Sequence, residues 1–392
     1  MMRPNVGPTE AVTAGVPMPP LPAPGARLDG LRIAVKDLVA VAGEPLQAGT
    51  LARSDAPPEP RDAAVVAQLR AAGAMITGTV ALHEIAFGTT GVNDQVGFPP
   101  NPHDPLRVPG GSSSGSAVAV AEGQADLAIG TDTGGSVRIP AALCGVVGFK
   151  PSYDRYPRDG VLALSPTLDH VGLLASSVDR IIDGHRALTG ETVPESTATG
   201  RLGVHQESLA VADDVVTAAV RRALAALEAA GWELVDVSLP DRARVQEVTT
   251  AVMFFEAAAV HAALWSQHPD RIGPDVFARL RRGADIPESD YLAALDDAAR
   301  LRVEVASLLD GVEAVVEPTV PIVAPTIVNA RSDDTLPAVL VSNTRLGNVT
   351  RVPTLTLPIT SDGLPVGLQL MATTDAGVLG VGRTLSWQAG TA

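Results

Sequence analysis

The chain has 392 residues, with 29 basic and 44 acidic side chains and a formal charge of −15. An apolar fraction of 46% supports a sizeable core and excludes wholesale disorder. The acidic balance argues against nucleic acid and, less strongly, against an anionic membrane surface. A single cysteine, Cys144, excludes an intrachain disulfide framework and a multi-cysteine zinc site. Six Phe, three Trp and three Tyr leave few stacking platforms for single-stranded nucleic acid. Length alone allows two or three domains or one large α/β domain.

Residues 1–27 hold seven prolines between Pro4 and Pro24 and read as an extended arm. They contain no apolar stretch of the kind a secretory leader carries, and no apolar run along the chain suits a membrane span, so the cytoplasm is the expected location. Order is expected from Leu31–Val35, a short run with β-branched residues that reads as a strand. Asp62–Ala72 reads as a helix stopped by Gly73, followed by a strand through Ala74–Ile76. Leu127–Gly130 and Arg201–Val204 are strands. Asp213–Ala230 is a helix with Val216, Val220, Leu224 and Leu227 on one face, ended by Gly231, and Glu233–Val237 is the next strand. Residues 245–309 are largely helical in pattern, and strands are expected at Val312–Val316, Leu355–Ile359 and Val366–Met371. Strands alternating with helices imply a sheet covered on both faces. No repeat of 20 to 50 residues is present.

The basic residues are unevenly chosen. Only Lys36 and Lys150 are lysines, and the other 27 cations are Arg. Lysine can lose its proton when desolvated, whereas arginine effectively cannot, so a lysine kept in this background is a candidate proton carrier. Two Gly/Ser segments carry the other chemical signals. Pro109-Gly110-Gly111-Ser112-Ser113-Ser114-Gly115-Ser116 runs into the apolar Ala117–Ala121, a tight turn entering a helix. It has no Gly-Lys-Ser/Thr step, so a phosphate loop is unsupported. Asp132-Thr133-Gly134-Gly135-Ser136 follows a strand, and successive amides in such a turn can converge on one anion beside a serine hydroxyl.

A serine nucleophile needs a base. None of the seven histidines forms a Gly-x-Ser-x-Gly elbow with Ser136 or a His-Glu-x-x-His pair, and each is expected at the surface or as a cap. Lysine is the other known partner. The joint pattern of Lys36, the Pro109–Ser116 segment and Asp132–Ser136 resembles the amidase signature family of serine hydrolases. The resemblance continues through Arg138-Ile139-Pro140-Ala141, Cys144-Gly145, Gly148-Phe149-Lys150-Pro151, Ser165–Asp169 and Gly363–Gln369, and covers residues 28 to about 390.

The resemblance implies one α/β/α domain, residues 28–392, built on a large mixed twisted sheet flanked by helices. By the same analogy Ser136 is the acyl-forming nucleophile, Ser112 a bridging serine after a cis peptide, and Lys36 the general base and later acid. The amides of Thr133, Gly134, Gly135 and Ser136 would form the oxyanion hole. Asp132 and Arg138 are expected to brace the turn, with Arg138 as an alternative substrate-carboxylate holder. Cys144 and Lys150 are expected to be structural, and Glu256 and His261 solvated or capping. Arg351 stands where the family usually has Gly, and Leu173-Leu174 where it often has Pro and Met. The implied activity is hydrolysis of a small carboxamide, without cofactor or metal. The alternatives are an amidotransferase A-type subunit releasing ammonia from glutamine, an allophanate-type hydrolase, and a non-catalytic relative. The expected partner is a small amide, with no nucleic acid or membrane, and a homodimer is compatible with this reading.

Overall fold

The computed structural model describes residues 28–194 and 199–388, and the expected arm, 1–27, lies outside the described residues. Ten strands form one sheet: β1 (Arg32–Lys36), β2 (Met75–Val80), β3 (Leu127–Asp132), β4 (Val147–Lys150), β5 (His170–Ala175), β6 (Arg201–Val204), β7 (Glu233–Asp236), β8 (Ala314–Pro318), β9 (Thr354–Ile359) and β10 (Val366–Met371). Their order is β2-β1-β3-β5-β4-β9-β10-β8-β6-β7. The two ends of the sheet are parallel and its middle, from β3 to β8, is antiparallel. This is the large mixed sheet flanked by helices that the resemblance implied.

The central strands are near-continuous apolar runs because both faces are covered. Side chains alternate across them: Val35, Leu127 and Ile129 join the main core, whereas Ala34 and Ala128 pack with the helix Ser114–Ala121 on the other face. That second face uses small residues because the helix lies close. A Cβ on Gly115 would stand 2.6 Å from the Ala81 backbone, and one on Gly130 would stand 2.8 Å from Ser113 Oγ. The helices Pro274–Ala284 and Glu288–Leu309 both pack against Arg242–Val260, which also meets the short helix Arg345–Val349.

All the strands expected from the sequence are present, most within two residues at their ends, and the one expected at Ala74–Ile76 runs four residues further, to Val80. Two further strands and several helices carry weaker signals. Gly148-Phe149-Lys150 in β4 and His170-Val171-Gly172 in β5 interrupt their apolar character with glycine and charge or imidazole. The helix Arg138–Cys144 contains Pro140, which is tolerated because it falls in the first turn. The helices Val178–Thr189 and Asp375–Gln388, and the short helices Gln206–Ala210, Ile327–Ser332, Leu336–Leu340 and Arg345–Val349, also lie outside the expected elements.

Candidate active site

β1 and β3 are parallel neighbours, so their C-terminal ends share one edge of the sheet. Lys36 ends β1, and Thr131-Asp132 ends β3. The segment before the helix Ser114–Ala121 crosses this edge with a cis peptide between Gly111 and Ser112. Lys36 is fully buried, and its Nζ donates to Ser112 Oγ (2.8 Å), Ser113 Oγ (3.0 Å) and Thr131 Oγ1 (2.8 Å). Burial lowers its pKa to about 7, against the opposing pull of Asp132 and Asp169. Lys36 and Ser112, 76 residues apart, are therefore in direct contact.

Ser136 reaches the same edge through the backbone: the Ser113 amide donates to the Ser136 carbonyl at 3.1 Å. The Ser136 side chain is buried to 8% exposure and makes no hydrogen bond among the described residues. The turn that carries it is held from below. Asp132 accepts from the Gly135 amide (2.8 Å), the Val137 amide (3.1 Å), and Arg138 Nε (3.0 Å) and Nη2 (2.9 Å). Desolvation alone would raise the Asp132 pKa, but Arg138 outweighs it and holds the carboxyl well below the usual range. Of the four amides expected to point outward, that of Gly135 is thus turned inward to Asp132, because the buried carboxylate needs donors. The amides of Thr133, Gly134 and Ser136 have no acceptor among the described residues.

Arg138 is saturated. Besides Asp132 it donates to Thr344 O, Gln369 Oε1 and Asn348 Oδ1, so its guanidinium braces the turn and has no edge left for a substrate carboxylate. Cys144 is buried with Sγ 3.2 Å from Pro109 O, and burial pushes its thiol pKa up. Lys150 is buried against the carbonyls of Pro151 and Val352. Both are structural, as expected. Arg351 has φ +67°, a backbone region that suits glycine, and stacks on Tyr153 at 4.0 Å.

Other expectations need correction. His83, His205 and His261 stand at helix caps, as expected, but are buried there, whereas His170 in β5 and His185 inside the helix Val178–Thr189 are buried and neither surface nor cap residues. Glu256 is buried too: it accepts from Ser165 Oγ (2.6 Å), the Thr167 amide (3.0 Å), the Thr167 hydroxyl and Tyr291 Oη (2.9 Å), and so fixes the loop 165–167. It lies on the inner face of a helix whose apolar pattern surrounds it, leaving no stripe to mark that face. His261 is buried at the end of the same helix, with its pKa lowered to about 4 by burial.

Sequence reasoning passed over Ser113, Thr131 and Asp169. The first is hidden in a run of three serines, and the second ends an otherwise apolar strand. Asp169 accepts from Thr133 Oγ1 (2.7 Å) and from the Leu164 and Ser165 amides, and burial raises its pKa to about 6.

A family model described as Amidase matches residues 21–376. A crystal structure of an amidase superimposes with a TM-score of 0.86 at 39% identity, covering 93% of this chain and 85% of that one. The glutamyl-tRNA(Gln) amidotransferase A-type subunit of Halobacterium salinarum is 34% identical, over 88% of this chain and 91% of the relative. Indoleacetamide hydrolase of Pseudomonas savastanoi is also 34% identical, over 89% of this chain and 80% of the relative. The chain belongs to the amidase signature family and is a hydrolase of amide carbon–nitrogen bonds.

Proposed function

We propose that the protein hydrolyses a small carboxamide to a carboxylate and ammonia through a seryl acyl-enzyme, with Ser136, Ser112 and Lys36 as the catalytic set. The observation that carries this reading is the buried Lys36 Nζ, lowered to about 7 and 2.8 Å from Ser112 Oγ, at the sheet edge that Ser136 shares. A lysine with that pKa is substantially neutral near pH 7 and can accept a proton.

Ser136 Oγ attacks the amide carbonyl carbon, and its proton passes through the Ser112 hydroxyl to Lys36. The carbonyl oxygen becomes an oxyanion facing the free amides of Thr133, Gly134 and Ser136, while the Gly135 amide holds the turn. The carbon–nitrogen bond then breaks as the nitrogen takes the proton from Lys36 by way of Ser112, and ammonia leaves. Water attacks the acyl-Ser136 ester and its proton passes by the same relay to Lys36; that proton then returns through Ser112 to Ser136 Oγ as the carbon–Oγ bond breaks, releasing the acid and the free serine.

A panel of primary amides scored by ammonia release tests this, with Ser136→Ala as control. Turnover in wild type and none in Ser136→Ala is expected, and equal turnover in both would overturn it. The similarity to the amidotransferase of Halobacterium salinarum favours a second reading, ammonia release from glutamine for a partner protein. Glutamine belongs in the panel for that reason, and strict dependence on glutamine plus a partner would select it.

A further inference from the structure

Two buried arginines meet the turn Thr133–Ser136, and they differ in one respect. Arg138 lies beneath it with a carboxylate, two carbonyl-type oxygens of side chains and a backbone carbonyl around its guanidinium. Arg345 lies beside it with no carboxylate at all among the described residues. Arg345 is 8% exposed. Its Nη1 donates to Thr250 Oγ1 (2.7 Å) and the Gln246 carbonyl (3.3 Å), both on the helix Arg242–Val260, so the head group is anchored at one nitrogen. Its Nε is buried without a partner, and Nη2 makes no hydrogen bond among the described residues. Nε and Nη2 form one straight edge of the guanidinium, the edge that a carboxylate grips with two parallel bonds.

The Nε end of that edge lies beside the turn. A Cβ built on Gly134 would stand 3.7 Å from Arg345 Cγ and 4.0 Å from its Nε, with Met253 Cε at 3.1 Å. The neighbouring charge is a second cation: burial and then Arg282 lower the Arg345 pKa to about 10. A buried cation with no counter-ion is costly unless something else neutralises it. Met253, whose Cε is the nearest atom to that Gly134 position, is unbranched and flexible and can move aside.

We infer that Arg345 is a specificity-determining residue that selects carboxamides carrying a carboxylate, the substrate supplying the counter-ion the protein leaves out. This rests on the reading of the Gly134 turn as the place where the amide carbonyl binds. The substrate class is then a short monoamide of a dicarboxylic acid, with its carboxylate on the Nε–Nη2 edge of Arg345 and its amide carbon at Ser136.

The test compares malonamic, succinamic and glutaramic acids with uncharged straight-chain primary amides of the same lengths, by ammonia release. The quantity read is the ratio of kcat/KM for the best acid to that for its uncharged counterpart. In wild type the ratio is expected to exceed about ten, and in Arg345→Met to fall at least tenfold, chiefly through KM of the acid. Arg345→Lys, which keeps the charge but not the planar fork, is expected to retain part of the preference. It is read in place of Arg345→Met if circular dichroism shows the latter unfolded. A wild-type ratio of one or less, or a ratio unchanged in the folded variant, overturns the inference. Ser136→Ala separates the two readings: turnover of uncharged amides that is lost in Ser136→Ala, without acid preference, removes the role of Arg345 and leaves the hydrolase reading standing. Turnover that survives in Ser136→Ala removes the reading on which it rests.

Discussion

Arg138 and Asp132 form a buried ion pair at 2.9 Å directly beneath the turn that carries Ser136. The pair is six residues apart in sequence and is shared by Asn348, whose Nδ2 donates to the Asp132 carbonyl and carboxylate. Removing one member leaves the other charged, dry and unpaired. Arg138→Met is therefore expected to lose about 3–5 kcal/mol of stability, the range for breaking buried pairs. Urea denaturation measures this, and a loss below about 1 kcal/mol would mean that the turn is braced by its backbone alone.

Lys36→Ala and Lys36→Arg are both expected to lose most ammonia release while keeping the fold. Arginine preserves the charge but does not give up its proton at any accessible pH. Turnover retained in the arginine variant, with unchanged circular dichroism, would sink the general-base role.

The lowered Lys36 pKa gives the activity a pH limb. Lysine acts as base only when neutral, so kcat/KM is expected to rise with pH and reach half its plateau near pH 7. Stability moves the same way. The unfolded lysine holds its proton up to about 10.5, whereas folded Lys36 and Lys150 release theirs at about 7. Between those values the unfolded chain binds more protons, so the contribution of these two residues to stability improves as pH rises from about 7 to 10.5. A flat kcat/KM profile from about pH 5.5 to 8.5 would contradict the assignment.

Gly135 has φ +131°, and a Cβ there would stand 2.3 Å from Thr344 Oγ1, which itself bonds the Gly134 carbonyl. Gly135→Ala must therefore shift the whole turn. A kcat loss of about a hundredfold or more is expected, the order seen when one oxyanion donor is removed. Steady-state kinetics on the best amide would measure it, and near-normal kcat would show that the turn geometry is not used.

A fluorophosphonate is expected to add one mass increment, on Ser136. Ser112→Ala should be crippled but less completely than Ser136→Ala, because water can partly replace a relaying hydroxyl. Peptide mapping that finds the label on Ser112, Ser113, Ser114 or Cys144, and still finds it in Ser136→Ala, would reassign the nucleophile.

The strands β1 and β3 are legible because each is an apolar run ending in the residues that matter, Lys36 in one and Asp132 in the other. The Gly/Ser segments are legible because glycine in close-packed turns leaves a compositional mark. What the sequence hides is burial of polar groups. Glu256 and His205 look like ordinary charged or cap residues, yet one fixes the loop 165–167 and the other lies 3.1 Å from the buried Glu317. Their settings are created by partners 35 to 112 residues away, and no local pattern records such a distance. The inward turn of the Gly135 amide is hidden for a similar reason: four consecutive amides look equivalent until the Asp132 carboxylate takes one.

Three hydroxyl oxygens surround Lys36 Nζ, and this has a consequence for which way protons can point. An ammonium has three hydrogens and satisfies all three oxygens at once. A neutral amine has two hydrogens and one lone pair, so one hydroxyl must turn and donate to the nitrogen. Ser113 is committed elsewhere, since its hydroxyl donates to the Thr131 carbonyl at 3.2 Å. The turning hydroxyl is therefore that of Ser112 or Thr131. Discharging the lysine costs this site the rotation of one O–H bond, with no heavy atom displaced, and the Ser112 hydroxyl is one of only two that can make that rotation.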